Sequence, residues 1–487
     1  MAEYHVENFG CRASRADGEA IAASLRHSGL APAGQSATAN VVIVNTCSVT
    51  AEADRQARAY LRRVRRQNPD ARVIVTGCYA QRAPEELAAL PGVDAVVGNS
   101  HKAKVAELAM QWAGVAPASA DFVPLRTILH DGAFAHTELA TLPFAPDSQQ
   151  TRPNLKVQDG CGNRCSFCII PTTRGSSRSV PLATCVDNVR RFVDRGGQES
   201  ASGGVELVLS GINLGRWGRD LQPVQRFEDL VAAILTQTSL PRLRLSSIEP
   251  MDWSADLLAL YREYSADSNA KRRSPDSPPQ PVTGHPSADL QPAPGLHPRL
   301  CRHTHLPLQS GSDTILRRMH RRYRPWHYAE KLAAIRALLP DAAIGADVMI
   351  GFPGETDALF QESCDFIAAQ PFTYLHLFPF SARPGTPAWE LHRQSPVPAR
   401  AVQERMAALR ELIAEKSRIF RSRFIGRTLT AVTLGDDAES ARPDPVTQAV
   451  TDNFLKLTLD TPLPANRLIA ARMTALWDDG LRGTPIA

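Results

Sequence analysis

Nowhere do about 18 apolar residues run uninterrupted, the length a helix needs to cross a bilayer, so the chain offers no candidate membrane span. Its start, MAEYHVENFG, lacks the basic stretch followed by an apolar one that marks a secretory leader, and a cytoplasmic protein is expected. Glycines occur in VLSGINLG and GFPGE but not at the spacing of a dinucleotide or P-loop fingerprint, and no hydrolase or kinase motif is present. A strong charge of one sign is also missing. The formal net charge is +5 over 487 residues, a mild basic bias that permits a polyanionic partner without pointing to one. With 43% hydrophobic and 22% charged residues the composition is that of an ordinary soluble globular protein. The length suits about three domains.

What the chain does have is patterned cysteine. Nine cysteines in a reducing compartment point to metal or redox chemistry rather than to a disulfide framework. The segment DGCGNRCSFCIIPTTRG, residues 159–175, places Cys161, Cys165 and Cys168 within eight positions and supplies no fourth thiol. A structural zinc site wants four protein ligands. No histidine lies between His136 and His285, and Cys185, in the helical and apolar PLATCVDNV, reads better as a packing residue than as a borrowed ligand. A cuboidal 4Fe-4S cluster takes one thiolate per iron, so three thiolates leave one iron open. The amino and carboxylate groups of S-adenosylmethionine suit that open corner.

Three further cysteines repeat one position. YHVENFGC, VVIVNTC and RVIVTGC are β-branched runs ending at Cys11, Cys47 and Cys78, with the helical GEAIAASLRHSG and ADRQARAYLRRVRRQ between them. Strand, helix, strand, helix, strand predicts a parallel sheet, and its carboxyl edge is where ligands bind. The three thiols are expected to converge there.

From about residue 147 a second alternation begins, with the strand-like runs NLKVQDGC, VELVLSG, LRLSSIEP, HTHLPLQSGSD, AAIGADVMIGFPGE and YLHLFPFSARPGT. About six βα units predict a partial (β/α)6 barrel with its active residues at the carboxyl strand ends. Residues 265–295, rich in Pro, Ser and Asp, read as a flexible surface insertion. PARAVQERMAALRELIAEKSRIFRSRF reads as a connecting helix, and the tail from about 424 as a small antiparallel β-barrel, a form that serves either to bind RNA or as a structural cap. The expected fold class is therefore α/β with an added β-barrel. Its domains are 1–140, a barrel over 147–390, a connector over 391–423 and the small barrel over 424–487.

The strings NTCSVTAEADRQAR, TGCYAQ, VGNSHK, KVQDGCGNRCSFCIIPTTRGSSRS, LSGINLGRWG, RLSSIEP, HLPLQSGSD, VMIGFPGET and FPFSARPGTPA resemble the radical S-adenosylmethionine methylthiotransferases across essentially the whole chain. The resemblance implies a radical cluster on Cys161, Cys165 and Cys168, and an auxiliary 4Fe-4S cluster on Cys11, Cys47 and Cys78 whose open iron holds the sulfur to be delivered. NTCSVTAEAD and SGINLGRWG are most similar to the branch that methylthiolates carbon 2 of N6-threonylcarbamoyladenosine beside the tRNA anticodon. It further implies S-adenosylmethionine as cofactor, tRNA as partner, an external electron donor, an external sulfur source, no membrane and a monomer. The branches for isopentenyladenosine and for a ribosomal-protein aspartate are the alternatives. A non-enzyme alternative is an RNA-binding iron-sulfur redox sensor.

No catalytic residue is assigned beyond the cluster ligands. Cofactor contacts are expected from Phe167, Gly211, Glu249, Gln309 and Arg178. Arg174 is placed with Arg178 as a partner for the cofactor carboxylate or a tRNA phosphate. Arg317, Arg318, Arg321 and Arg322, in the basic stretch RRMHRRYRP, are candidate RNA contacts, as is Phe454 for stacking on a base, the tail resembling the RNA-binding TRAM domain of the family. Cys185, Cys301 and Cys364 read as packing residues. One departure from the family pattern is Ser14, three residues after Cys11, where asparagine is common.

Overall fold

The computed structural model describes residues 2–115, 124–134, 151–194, 203–265, 297–435 and 446–486. The expected insertion beyond Ser265 and the expected boundary between 140 and 147 lie outside the described residues.

The first sheet holds β1 (Glu3–Asn8), β2 (Ala31–Pro32), β3 (Val41–Thr46), β4 (Arg72–Gly77), β5 (Ala95–Gly98) and β6 (Thr127–Leu129). Every pair is parallel, in the order β2-β1-β3-β4-β5-β6. β3 is buried at all its positions, as a central strand covered on both faces must be. Alternate residues serve opposite faces. Val42 and Val44 pack with Ala57, Leu61 and Val64 of the helix Ala51–Gln67, whereas Val41 and Ile43 pack with Ile21 and Leu25 of the helix Arg12–His27. The helix Ala51–Gln67 starts where it does because the Thr50 hydroxyl accepts from Ala53 N at 3.2 Å, with Glu52 and Asp54 in its first turn and Arg65 and Arg66 in its last. Since all strands run the same way, β1, β3 and β4 carry Cys11, Cys47 and Cys78 to one edge.

The second unit contains β7 (Asn154–Asp159), β8 (Arg178–Ser179), β9 (Glu206–Gly211), β10 (Arg242–Leu245), β11 (His303–His305), β12 (Ala343–Ile350) and β13 (Tyr374–Pro379). β7, β9 and β10 pair in parallel, as do β11, β12 and β13, and a parallel bridge between Leu243 and Leu300 joins the two sets. These are the six strands of a partial barrel. β8 is a two-residue antiparallel addition to β7. Among the described residues no ladder joins β13 back to β7, and the helix Arg12–His27 of the first unit packs against β7 and β9.

The last unit is a closed barrel of β14 (Thr428–Thr433), β15 (Thr447–Thr451), β16 (Lys456–Leu459), β17 (Leu468–Trp477) and β18 (Gly480–Ile486). It is antiparallel except for β16 against β18, which run parallel because closure of five strands leaves one pair with matching direction. It docks on the amino ends of the barrel strands. Arg242 reaches the Thr430 hydroxyl at 2.7 Å, Arg244 the Thr451 carbonyl at 3.0 Å, and Arg302 the Asp452 carboxylate at 2.5 Å. Glu206, fully buried, holds Arg152 and Arg244 at 2.6 and 2.8 Å. The helix Ala399–Ser422 buries Met406, Leu409 and Ile413 in the barrel core and Phe420 in the core of the small barrel, so it connects the two by packing. No helix among the described residues is long and apolar enough to cross a membrane.

Candidate functional site

The three N-terminal thiols sit on the loops leaving β1, β3 and β4. Cys11 is exposed and opens the helix Arg12–His27, whereas Cys47 and Cys78 are buried. Gly10 (φ 110°) precedes Cys11 because a Cβ there would lie 2.7 Å from Cys47 Cβ and 3.0 Å from Cys47 Sγ. Gly77 (φ 97°) precedes Cys78, where a Cβ would lie 2.3 Å from the Thr46 carbonyl oxygen. Ser14 donates its hydroxyl to the Phe9 carbonyl at 3.0 Å, and the Ser14 carbonyl accepts from Asn45 Nδ2 at 2.6 Å, which ties the Cys11 loop to the end of β3. Burial pushes the Cys47 thiol up to about 12, and the charges of Cys78 and Cys11 push the same way while Arg174 pulls it down. The three sulfurs therefore act on one another, and a cationic centre is what would hold them as thiolates.

The second triad follows β7. Cys161 N donates to the Gly175 carbonyl at 3.0 Å, Cys168 N to the Cys165 carbonyl at 3.1 Å, and Ser166 is strapped to the Arg318 and Met319 carbonyls at 2.7 and 3.1 Å. Each sulfur has its own donor or wall. Asn163 N and Asn213 Nδ2 approach Cys161 Sγ at 3.4 and 3.5 Å, and Arg321 Nη1 approaches Cys165 Sγ at 3.3 Å. Cys168 is pushed up to about 12 by burial, with Cys165 and Cys161 acting in the same sense.

Two features join the triads. Asn99 Nδ2 donates both to Cys78 Sγ at 3.5 Å and to the Thr173 carbonyl at 2.8 Å, and the helix Cys78–Arg82 packs on the helix Ile170–Arg174. Behind them five charged side chains are buried together: Asp17 and Lys102 from the first unit, Lys156, Asp159 and Arg174 from the barrel. Lys102 Nζ stands 2.7 Å from Asp17, and Arg174 Nη1 stands 3.1 Å from Asp17 and 2.9 Å from Asp159. Lys156 contacts both carboxylates. Burial alone would raise both acids, but the three cations overcome it and hold Asp17 at about 2 and Asp159 well below the usual carboxylate range. Burial lowers Lys102 to about 8. Three cations face two anions, and the surplus lies towards the thiols. Arg174 Nε and Nη2 have no hydrogen-bond partner among the described residues, and the guanidinium feels the charges of Cys78 and Cys11.

A cavity of about 200 Å³ lies between the loop after Cys47 and the second triad, lined by Val49, Thr50, Phe167, Cys168, Gln309 and Met349 among others. The loop after Cys47 is held over it by Ala51 N donating to Ser381 Oγ at 3.0 Å and by Arg383, 2.7 Å from Asp54. Gln309 is 7% exposed, adopts φ 66°, and its Oε1 has no partner among the described residues. A non-glycine residue held in that region marks strain kept at a site.

The sequence candidates fall out as follows. Phe167 packs with Ile315, Met319 and Phe352 and walls the cavity beside Cys168. Gly211 ends β9 opposite Gln158, whose Oε1 would lie 2.9 Å from a Cβ there. Glu249 pairs with Arg321 beside Cys165. Arg178 donates to the Arg174 carbonyl at 2.7 Å and lies over the Phe134 ring.

Three expectations need correction. Arg174 reaches no phosphate, being fully buried between Asp17 and Asp159. Arg321, expected on an RNA-facing surface, is 8% exposed, stacks on Tyr323 and supports Cys165, because the turn after the helix Asp313–Arg318 folds inward. Phe454 does not present a free face for a base, since its ring packs on His303 at 4.3 Å and on Tyr374 at 5.5 Å where the small barrel meets β11 and β13. Arg317 pairs with Asp313, Arg318 donates to the Gly354 carbonyl at 2.8 Å, and Arg322 is exposed. Sequence reading missed Asp17, Lys102, Asp159 and Asn213, each of which has a partner dozens of residues away. Lys102, Asp159 and Asn213 sit within a few residues of a strand end, whereas Asp17 lies inside a helix and gave no such hint.

Among the described residues no three His, Cys, Asp or Glu side chains are placed to hold one metal ion. A cube gives each thiolate its own iron, so its ligands stand further apart than those of a single ion. Two sets of three thiols, backed by N–H donors from Asn99, Asn213 and Arg321, fit such a group.

A thiol triad at the head of a six-stranded parallel partial barrel is the architecture of a radical S-adenosylmethionine enzyme. The solved radical S-adenosylmethionine methyltransferase TsrM from Kitasatospora setae shares that fold, with a TM-score of 0.52 at 14% identity, covering 81% of this chain and 78% of that one. The family model described as Uncharacterized protein family UPF0004 matches residues 3–98. The threonylcarbamoyladenosine tRNA methylthiotransferase MtaB of Bacillus subtilis is 31% identical over 94% of this chain and 90% of its own length, and that of Rickettsia prowazekii 30% over 97% and 94%. The tRNA-2-methylthio-N(6)-dimethylallyladenosine synthase of Acidothermus cellulolyticus is 31% identical over 93% and 82%. The chain belongs to the radical S-adenosylmethionine methylthiotransferase family.

Proposed function

We propose that this chain is a tRNA methylthiotransferase that replaces the hydrogen on carbon 2 of N6-threonylcarbamoyladenosine, at tRNA position 37 next to the anticodon, with a methylthio group. The observation that carries the reading is that two independent parallel sheets end in two incomplete three-thiol sets, with a cavity between the loop after Cys47 and Cys168. The near full-length likeness to MtaB supports the substrate branch. When bound, two 4Fe-4S clusters and S-adenosylmethionine supply the one-electron chemistry, the sulfur and the methyl group that an inert aromatic C–H bond requires.

The residues of the chain bind, orient and shield. Cys161, Cys165 and Cys168 hold the radical cluster, and Cys11, Cys47 and Cys78 the auxiliary one. Arg321 and Asn213 place N–H donors on the sulfurs of Cys165 and Cys161, which stabilises thiolate charge. Arg174 offers the N–H groups of Nε and Nη2 to the sulfur side of the auxiliary triad. Gln309 presents an acceptor to an amino group in the 200 Å³ cavity, and Phe167, Ile169, Met349 and Phe378 keep water from it. On the small barrel, Trp477 is 39% exposed with Arg482 4.6 Å over its ring, a platform on which an RNA base can stack in place of Phe454.

The substrate is tRNA, and the site of action is the cytoplasm. An external electron donor and an external sulfur source complete the reaction, and since one chain carries both triads a monomer suffices. Nucleoside mass spectrometry of tRNA from cells with and without the gene tests the reading. The 2-methylthio-N6-threonylcarbamoyl nucleoside is expected to vanish without it, and its persistence would overturn the proposal.

A further inference from the structure

A second cavity, of about 380 Å³, opens beside Cys11 where the first unit meets the barrel. Three of its lining residues are arginines, Arg12, Arg15 and Arg152, and Asn8 and Asn154 complete its polar wall. Arg152 is already committed, 2.6 Å from Glu206. Arg12 and Arg15 are different: among the described residues neither guanidinium has a salt bridge or a hydrogen bond. Nearby acids do not balance them. Glu206 serves Arg152 and Arg244 at once, and Asp347 is shared with His305. The charge of Arg12 is felt at His305 on β11, Asp347 on β12 and His376 on β13. The Arg12 and Arg15 side chains are both exposed at the cavity wall, where a guanidinium without a protein partner is free to take an anion that enters.

The site already proposed says where that anion comes from. Carbon 2 and the N6 substituent share one edge of adenine, separated only by N1, so a group next to a thiol of the sulfur-donating triad is also next to whatever N6 carries. A threonylcarbamoyl group ends in a carboxylate, whereas an isoprenyl group carries no charge. We propose that Arg12, with Arg15 beside it, binds the carboxylate of the side chain on N6 and thereby selects the threonylcarbamoyl nucleotide over one bearing an uncharged substituent. The inference rests on the tRNA reading above and adds the residue that decides the substrate branch. The fork of the guanidinium suits a carboxylate in two-point contact, and Asn8 and Asn154 can serve the carbamoyl amide.

The test uses the cluster-loaded enzyme and three anticodon stem-loop RNAs, bearing at position 37 N6-threonylcarbamoyladenosine, its methyl ester, or adenosine. Binding is read by fluorescence anisotropy, and product by mass spectrometry. The wild-type enzyme is expected to bind the acid about 10- to 100-fold more tightly than the ester, the range of one charge-assisted contact. Arg12→Gln is expected to abolish that preference while leaving binding of the ester and of adenosine unchanged, and Arg12→Lys to retain part of it. Equal binding of acid and ester by the wild type would overturn the inference without the need of any folded variant. So would an equal loss for all three RNAs in Arg12→Gln, which would place the guanidinium on a backbone phosphate, and so would a retained preference. If instead the wild type bound all three alike and methylthiolated none, the functional reading itself would fail, an outcome separable from loss of the preference alone.

Discussion

The buried charges at the junction of the first unit and the barrel allow a sharp test. Asp17→Asn removes one of two carboxylates that balance three cations, and leaves Lys102, Lys156 and Arg174 all facing Asp159, at 3.6, 3.1 and 2.9 Å. With an effective dielectric near 20, each lost contact at about 3 Å is worth roughly 5 kcal/mol of gross attraction. Most of that is offset by the cost of burial, and breaking a buried pair from one side nets about 3–5 kcal/mol of destabilisation. Lys102 sets the pH dependence. It titrates at about 8 while Asp17 is present, because burial lowers it and Asp17 partly restores it. Without Asp17 its pKa falls further, so between the new value and about 8 the folded variant binds fewer protons than folded wild type, and the variant gains relative stability as pH rises through that window. The deficit is therefore expected to be largest near pH 6 and smallest above pH 8. Urea unfolding of the cluster-loaded protein at pH 6 and 9, with the Asp17→Asn/Lys102→Met double mutant to isolate the pair, measures it. A deficit below about 1 kcal/mol that does not change with pH would refute the reasoning, since it would mean that the two units do not bury these charges against each other.

Other outcomes follow from single contacts. Gly10→Ala drives a Cβ to within 2.7 Å of Cys47 Cβ and strains a φ of 110°, so bound iron is expected to fall from about eight to about four per chain; retention of all the iron in an anaerobic iron assay would contradict the crowding argument. Glu206→Gln leaves Arg152, Arg242 and Arg244 without their shared carboxylate and should cost about 3–5 kcal/mol, with limited proteolysis releasing the small barrel first, because Arg244 also carries the Thr451 and Asp452 carbonyls. Asp347 is pushed up to about 6 by burial and then by Glu249, so wild type loses stability as pH rises from the ordinary carboxylate value through 6. Asp347→Asn should be about 2–3 kcal/mol more stable than wild type at pH 8 and no different below pH 4, read from denaturant midpoints.

How far the chain could be read in advance depended on distance along it. Cys11, Cys47 and Cys78 were legible because each closes a β-branched run, and a parallel sheet must then carry them to one edge. Cys161, Cys165 and Cys168 were legible because their spacing is local. Arg321 and Phe454 misled for the opposite reason. A run of arginines and a strand-like aromatic look solvent-facing until the turn that buries the one and the neighbouring barrel that covers the other are in place.

Sequence by itself determined the alternation of strand and helix in both α/β units, the two thiol sets and the kinship with methylthiotransferases, since periodicity, strand-end position and short spacings are properties of neighbours in the chain. Only the tertiary structure decided which charges meet. Asp17 finds Lys156 and Arg174 across a unit boundary, and Arg12 comes to stand beside Arg152 in one cavity with no acid of its own. The physical reason is that Coulomb energy and desolvation depend on separation and burial in space, and both are set by docking two surfaces that no local pattern in the sequence encodes.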